Sequence, residues 1–251
     1  MKGRYFLEIS YKGTNYHGWQ MQQNAPSLQG EFDRCLEKIL GCKIISYASG
    51  RTDTGVHAYQ QYLHVDMPET FDCDQFIYKI NAVLPDDITV KSLIPVKDDA
   101  HARYSAYLRT YIYKIHLVKD PFLNEYSYFF PGSLDIDKMN EACKLLIGEK
   151  NFQCFSRAKT SVEHFHCHVV EAKWIANGNQ LKFTISANRF LRGMVRTIVG
   201  TLIEVGKGKF QSEEISAILA SQDRKRAGRA VPACGLYLSR IKYPDHIFLN
   251  F

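Results

Sequence analysis

Residues 49–58 read Ser49-Gly50-Arg51-Thr52-Asp53-Thr54-Gly55-Val56-His57-Ala58. Two glycines bracket this set of acid, base and hydroxyl groups, and glycine lets a backbone turn sharply and come close to a ligand. On either side, Lys43 to Ala48 and Gln60 to Asp66 read as strands. Asp53 is therefore expected on a loop between strands, where backbone N–H groups can hold its carboxylate ionised as a nucleophile or base. The pattern alone leaves a second reading open, in which Asp53 caps a turn and Arg51 faces water, because Asp is common in Gly-rich turns.

Toward the N-terminus, Tyr5 to Tyr11 reads as a strand. Ser27 is placed to cap a helix whose apolar stripe is Leu28, Phe32, Cys35, Leu36, Ile39 and Leu40 and which ends at Gly41. Toward the C-terminus, Phe76, Ile77, Ile80, Val83 and Leu84 predict a second helix stopped by Pro85. Ala106 to Val118 alternates strictly, with Tyr107, Arg109, Tyr111, Tyr113, Ile115 and Leu117 on one face of a long strand. Met139, Ala142, Cys143, Leu146 and Ile147 form a helical stripe closed by Gly148, and Val169 to Ala176 with Leu181 to Ala187 form a hairpin about Asn177-Gly178-Asn179. Phe190, Leu191, Met194, Val195, Ile198, Val199, Leu202 and Ile203 predict an amphipathic helix with Arg189, Arg192 and Arg196 on its cationic face. Ser212 is expected to cap a further helix, and Leu236 to Tyr243 to close the chain as a strand. Strands mixed with helices, a hairpin and few long crossovers predict an α+β architecture with a largely antiparallel sheet.

At 251 residues the chain is long enough for a real core, and its formal charge of +6 favours a polyanionic partner, though weakly. Lys2, Arg4 and Lys12 interrupt the first twenty residues, so no signal peptide is expected, and no apolar run approaches the roughly 20 residues of a membrane span. Seven cysteines without a CxxC pair suit reduced thiols in the cytoplasm. In His164-Phe165-His166-Cys167-His168, strand alternation puts three histidines on one side, but the remaining ligands are missing from the pattern and no metal site is expected. The basic run Arg224-Lys225-Arg226 with Arg229 reads equally as a solvated turn or a phosphate contact.

The segment 49–58 closely resembles the catalytic loop of the tRNA pseudouridine synthase A (TruA) family, departing from it only at Thr54, where relatives usually carry Ala. The resemblance continues in order through Tyr16-His17-Gly18-Trp19-Gln20, Asn81-Ala82-Val83-Leu84-Pro85, His101-Ala102-Arg103-Tyr104-Ser105-Ala106, Tyr111, Phe190 to Gly200 and Gly235-Leu236-Tyr237-Leu238. Ordered blocks over nearly the whole length are the context that a motif match requires. The family resemblance implies isomerisation of uridine to pseudouridine in the anticodon stem-loop of tRNA, at positions 38, 39 and 40, with no metal and no organic cofactor.

By the same resemblance Asp53 is the essential carboxylate, which attacks the nucleotide or abstracts a ribose proton. Tyr111 matches the active-site tyrosine, whose ring stacks on uracil and whose hydroxyl assists loss of the C5 proton. Arg196 matches an arginine that pairs with the carboxylate, and Arg51 one linked to base flipping. His101, Arg103 and Tyr104 match a tRNA-contacting stretch. One departure stands out: Val162-Glu163-His164-Phe165-His166 occupies a stretch where relatives commonly carry basic residues.

The fold so implied is the pseudouridine synthase fold, a mixed, mostly antiparallel sheet flanked by helices, in two similar halves with a central cleft. Residues 1–103 would carry the Asp loop and 104–251 the active-site Tyr and Arg. A homodimer in which one tRNA touches both subunits is also implied, and no membrane. Two rival functions stand beside this one: a catalytically silent RNA-binding protein or tRNA chaperone on the same fold, and a base-excising glycosylase that releases uracil. Intact Asp53, Tyr111 and Arg196 argue against the first, since a pure binder has no use for a carboxylate facing phosphates.

Overall fold

The computed structural model describes residues 2–68, 72–157 and 162–249. In chain order the elements are β1 (Lys2–Tyr11), α1 (Leu28–Leu40), β2 (Tyr47–Ala48), β3 (His57–Pro68), α2 (Cys73–Val83), β4 (Ile88–Val96), β5 (Leu108–His116), β6 (Tyr128–Phe129), α3 (Ile136–Lys144), β7 (Gly148–Asn151), β8 (His166–Asn177), β9 (Gln180–Ala187), α4 (Met194–Gly206), α5 (Glu214–Ser221) and β10 (Leu236–Lys242). This is an α+β fold in which β1 pairs antiparallel with β3 and β4, β2 with β3, β5 with β9, β9 with β8 and β8 with β7, while β5 and β6 pair in parallel. The chain divides into two compact units, residues 1–107 with 238–251, and residues 108–237.

In the first unit, β1 is the inner strand between β3 and β4, and β10 lies on the other side of β3. Adjacent residues Phe6 and Leu7 are both fully buried, so both faces of β1 are covered. Tyr243 and Phe248 contribute on the Phe6 side, their ring centroids 5.0 and 6.4 Å from that of Phe6. α1 forms where the pattern places it. The Ser27 hydroxyl accepts from Gly30 N, Leu28, Phe32, Cys35 and Leu36 are buried, and Gly41 ends the helix in the left-handed region.

In the second unit, β5 pairs with β9, β9 with β8, and β8 with β7. Trp174 and Phe183 pack with centroids 5.0 Å apart, and α3 packs on α4 and β8. The hairpin expected about Gly178 is present, with Asn177 opposite Gln180.

Four expectations are corrected. Lys43 to Ser46 is not a strand, and only Tyr47–Ala48 pairs with β3. Side chains of α1 take the backbone instead: Ser46 N donates to Asp33 Oδ1 at 3.1 Å, and Gln29 Nε2 donates to the Ser46 carbonyl at 3.0 Å. The helix expected from Phe190 starts at Met194, because Gly193 sits at φ 72°, a left-handed conformation that cannot continue an α-helix. Arg189 and Arg192 therefore lie off the helix, and the cationic face does not form. Ser212 does not cap α5; it is buried and donates to the Lys138 carbonyl at 3.1 Å, while the Glu214 carboxylate accepts from Gln211 N. The helix assigned up to Ile147 stops at Lys144; Leu146 beyond it is still fully buried, while Ile147 is exposed.

Asp33 carries a testable cost. It is 7% exposed, its Oδ1 takes both Ser46 bonds, and its Oδ2 has no partner among the described residues. Burial pushes its carboxyl up to about 6, against the lowering by the Ser46 bonds and the Lys43 charge. A raised folded-state value means the stability contribution is present below pH ~4 and lost as pH rises to about 6. The stability of Asp33→Asn relative to wild type should therefore improve by roughly 1–2 kcal/mol between pH 4 and pH 7.5. Urea unfolding at the two pH values measures this, and a difference that does not change with pH contradicts it.

Candidate active site

The loop that carries Asp53 lies within the first unit and is held by its flanks. Ser49 N donates to the Tyr62 carbonyl and Ser49 Oγ to Gln61 Oε1 at 2.7 Å. Gln61, fully buried, returns a bond from Nε2 to the Gly50 carbonyl at 2.9 Å. The Thr52 hydroxyl lies 2.8 Å from that of Tyr11, and Val56 N donates to the Asp53 carbonyl at 3.2 Å, closing a turn. The backbone is thus fixed, while the Asp53 side chain is half-buried and Arg51 is exposed. A carboxylate on a fixed backbone is what a positioned nucleophile or base requires.

Two further residues shape the loop and were not singled out as site residues from the sequence. Gly18, at φ 91°, lies against it so closely that a Cβ there would stand 2.6 Å from Thr52 O and 3.3 Å from Asp53 C. Trp19 N donates to the Thr52 carbonyl, and the Gly18 and Trp19 carbonyls accept from Leu28 N and Gln29 N at the start of α1. The segment around Gly18 therefore ties the catalytic loop to a helix. His57, just after the loop, is 2% exposed and its Nδ1 accepts from Gly13 N at 3.1 Å, so it serves as a structural acceptor. The signal for Gly18 was in the Tyr16 to Gln20 block, but nothing local says that its partner is 34 residues away.

In the same unit, Arg103 and Tyr104 are exposed, with the guanidinium 5.4 Å from the Tyr104 ring centroid. His101 Nδ1 accepts from Arg103 N at 3.0 Å.

The second unit carries Tyr111 and Arg196. Tyr111 lies on β5 opposite Ile185, half-buried, with its ring edge-on to Phe190 at 5.1 Å. Arg196 is in the first turn of α4, half-buried; its Nε donates to the Val231 carbonyl at 2.7 Å, and Val231 N donates to the Arg196 carbonyl at 3.2 Å. It is anchored rather than lying on a solvated helix face.

His164, His166 and His168 do not converge with other donors: among the described residues no group of three or more His, Cys, Asp or Glu is arranged to hold a metal. His164 Nε2 instead lies 3.0 Å from an Arg189 guanidinium nitrogen, where a second cation would be repelled. Glu163 beside it is exposed. The seven cysteines are free, and burial pushes Cys143 and Cys154 up to about 12 and Cys167 up to about 11, so these three stay protonated and are poor nucleophiles. No helix among the described residues is long and apolar enough to cross a membrane.

Comparison with known proteins places relatives over nearly the full length. Residues 142–244 match a family model described as tRNA pseudouridine synthase. The tRNA pseudouridine synthase A of Parabacteroides distasonis is 41% identical over 246 residues, covering 98% of each chain. Those of Porphyromonas gingivalis and Geobacillus kaustophilus are each 42% identical, the first covering 98% of this chain and 99% of the relative, the second 96% and 95%.

Proposed function

The chain belongs to the tRNA pseudouridine synthase A family and isomerises uridine to pseudouridine in tRNA, and from that premise we propose that Asp53, Tyr111 and Arg196 carry the reaction at positions 38, 39 and 40 of the anticodon stem-loop. What supports this most is the loop 49–58, which closely resembles the family's catalytic loop and holds Asp53 half-buried on a hydrogen-bonded backbone.

The bond from ribose C1′ to N1 of uracil breaks, the base turns, C1′ bonds to C5, and the proton leaving C5 is balanced by one gained at N1. Atoms and electrons are conserved, so neither an oxidant nor a reductant is required. The site must retain a detached base against loss to water, which favours one positioned carboxylate over the carboxylate pair of a hydrolase. Asp53 attacks the nucleotide or abstracts a ribose proton, and Arg196 is, by the family resemblance, the arginine that assists it. The Tyr111 ring stacks on uracil and its hydroxyl assists removal of the C5 proton. Arg51 fills the gap left by the displaced base, and His101, Arg103 and Tyr104 belong to the tRNA-binding surface. The reading includes a homodimer that shares each tRNA between subunits, and a cytoplasmic location.

Incubation with anticodon stem-loop RNAs bearing uridine at a single one of positions 38, 39 or 40, followed by nucleoside analysis, tests this. The expected product is an isomer of unchanged mass from at least one of the three RNAs. Free uracil would indicate a glycosylase, and RNA bound but unaltered a silent binder.

A further inference from the structure

The turn 101–104 is built in an unusual way. Three consecutive backbone N–H groups point at histidine rings: Ala102 N donates to His64 Nδ1 at 3.2 Å, and Arg103 N and Tyr104 N donate to His101 Nδ1 at 3.0 and 3.4 Å. Side-chain acceptors more often cap such turns as Asn, Asp or Ser. The two imidazoles also belong to a column of ring contacts. Tyr47 stacks on His64 at 4.9 Å and 15°, whereas His64 meets His101 at 4.3 Å and 60° and His101 meets Tyr104 at 4.4 Å and 46°, both tilted. Tyr47 and Tyr104 at the two ends are 52% and 74% exposed, whereas His64 is 5% exposed. Other contacts hold the base of the turn: the Tyr243 hydroxyl donates to the Ala102 carbonyl at 2.6 Å, Arg4 donates to the Ala100 carbonyl at 3.2 Å, and His101 N donates to Ser105 Oγ at 2.9 Å.

We infer that His64 and His101 are positioning residues for tRNA binding, holding the Ala102–Tyr104 backbone as neutral acceptors so that Arg103 and Tyr104 face the RNA. An Nδ1 that accepts a backbone N–H must be unprotonated, so the turn exists in this form only while both rings are neutral. The surroundings keep them so. Burial, His101 and Arg4 push His64 down to about 4, against raising by Asp66 and a hydrogen bond with the Tyr47 backbone. Burial, Arg4 and Arg103 push His101 down as well, against a backbone bond of its own. His64 lies on β3, the strand that leaves the catalytic loop, and Tyr47 on β2, the strand that enters it. The column therefore joins the framework of the catalytic loop to the turn. His101 in this account shapes the surface rather than reading RNA itself.

The inference rests on the reading that Arg103 and Tyr104 meet tRNA, and the experiment separates the two. KM and kcat for an anticodon stem-loop substrate are measured at pH 7.5 for His101→Phe, which keeps a ring and removes the acceptor, and for His101→Asn, whose Oδ1 stands near the place of Nδ1. The same pair is made at His64, with thermal midpoints recorded, and Arg103→Ala and Tyr104→Ala serve as reference. The expected result is a rise in KM of about tenfold for each Phe variant with kcat unchanged, and KM within about threefold of wild type for each Asn variant. Wild-type KM should be flat above pH 6.5 and rise at lower pH as the imidazoles take protons, and His101→Asn should weaken that rise. If Arg103→Ala and Tyr104→Ala raise KM but His101→Phe does not, the positioning role is wrong and the tRNA reading stands. If neither Ala variant changes KM, the tRNA reading of this turn fails, and the inference with it. His64 is buried and His64→Phe risks misfolding, but the partly exposed His101 keeps the test decisive.

Discussion

Asp53→Asn is expected to lower turnover at least about a hundredfold while leaving KM for tRNA and the thermal midpoint close to wild type. The size follows from the role: amide and carboxylate are nearly isosteric, so the change removes charge and basicity and little else. The bonds through Ser49, Gly50, Thr52 and the Asp53 carbonyl that hold this loop remain in the variant, so its backbone should keep its place. A variant that binds substrate but does not convert it has lost an interaction made in the transition state. Turnover within tenfold of wild type would remove Asp53 from the mechanism.

Gly18→Ala should be the most damaging substitution outside the reacting residues. Gly18 sits at φ 91°, where an L side chain is strained, and its new Cβ would meet Thr52 O at 2.6 Å and Asp53 C and Thr54 N at 3.3 Å. Those atoms are backbone of the catalytic loop, so relief of the clash displaces Asp53. A displacement approaching 1 Å costs on the order of a hundredfold in rate. Gly41 supplies the control: it also has positive φ, 68°, but a Cβ there meets nothing within 4 Å. Gly41→Ala should therefore lower the thermal midpoint with kcat nearly unchanged, while Gly18→Ala lowers both. Equal effects of the two substitutions on kcat would show that contact with the loop is not what matters at Gly18.

Legibility from sequence followed the range of the forces involved. α1 was readable nearly to the residue because its signals are local: Ser27 caps, the stripe repeats at helical spacing, and Gly41 stops it. Lys43 to Ser46 was misread because what decides it is remote, the Asp33 and Gln29 side chains taking up the Ser46 backbone. The start of α4 was misread for another reason. Leu191 is buried and Phe190 packs on Tyr111, so the apolar pattern continues through residues that are not helical, and only the φ of Gly193 marks the break.

The candidate site divides in the same way. Asp53, Tyr111 and Arg196 were named through the family resemblance, which short ordered blocks of the sequence carry; the residue pattern alone left Asp53 open between a turn and a reacting group. Gly18, His57 and His64 act through contacts 34, 44 and 38 residues away, and in sequence they are an ordinary glycine and two histidines in a strand. A buried histidine that accepts from a backbone N–H leaves no periodic mark on its own segment.

Mapping of pseudouridine in tRNA from cells lacking this gene, complemented with either wild type or Asp53→Asn, tests the central claim most directly. Pseudouridine at one or more of positions 38, 39 and 40 should be missing without the gene, return with wild type and stay missing with Asp53→Asn. Unchanged pseudouridine at all three positions in the deleted strain, or its full return with Asp53→Asn, would contradict the account.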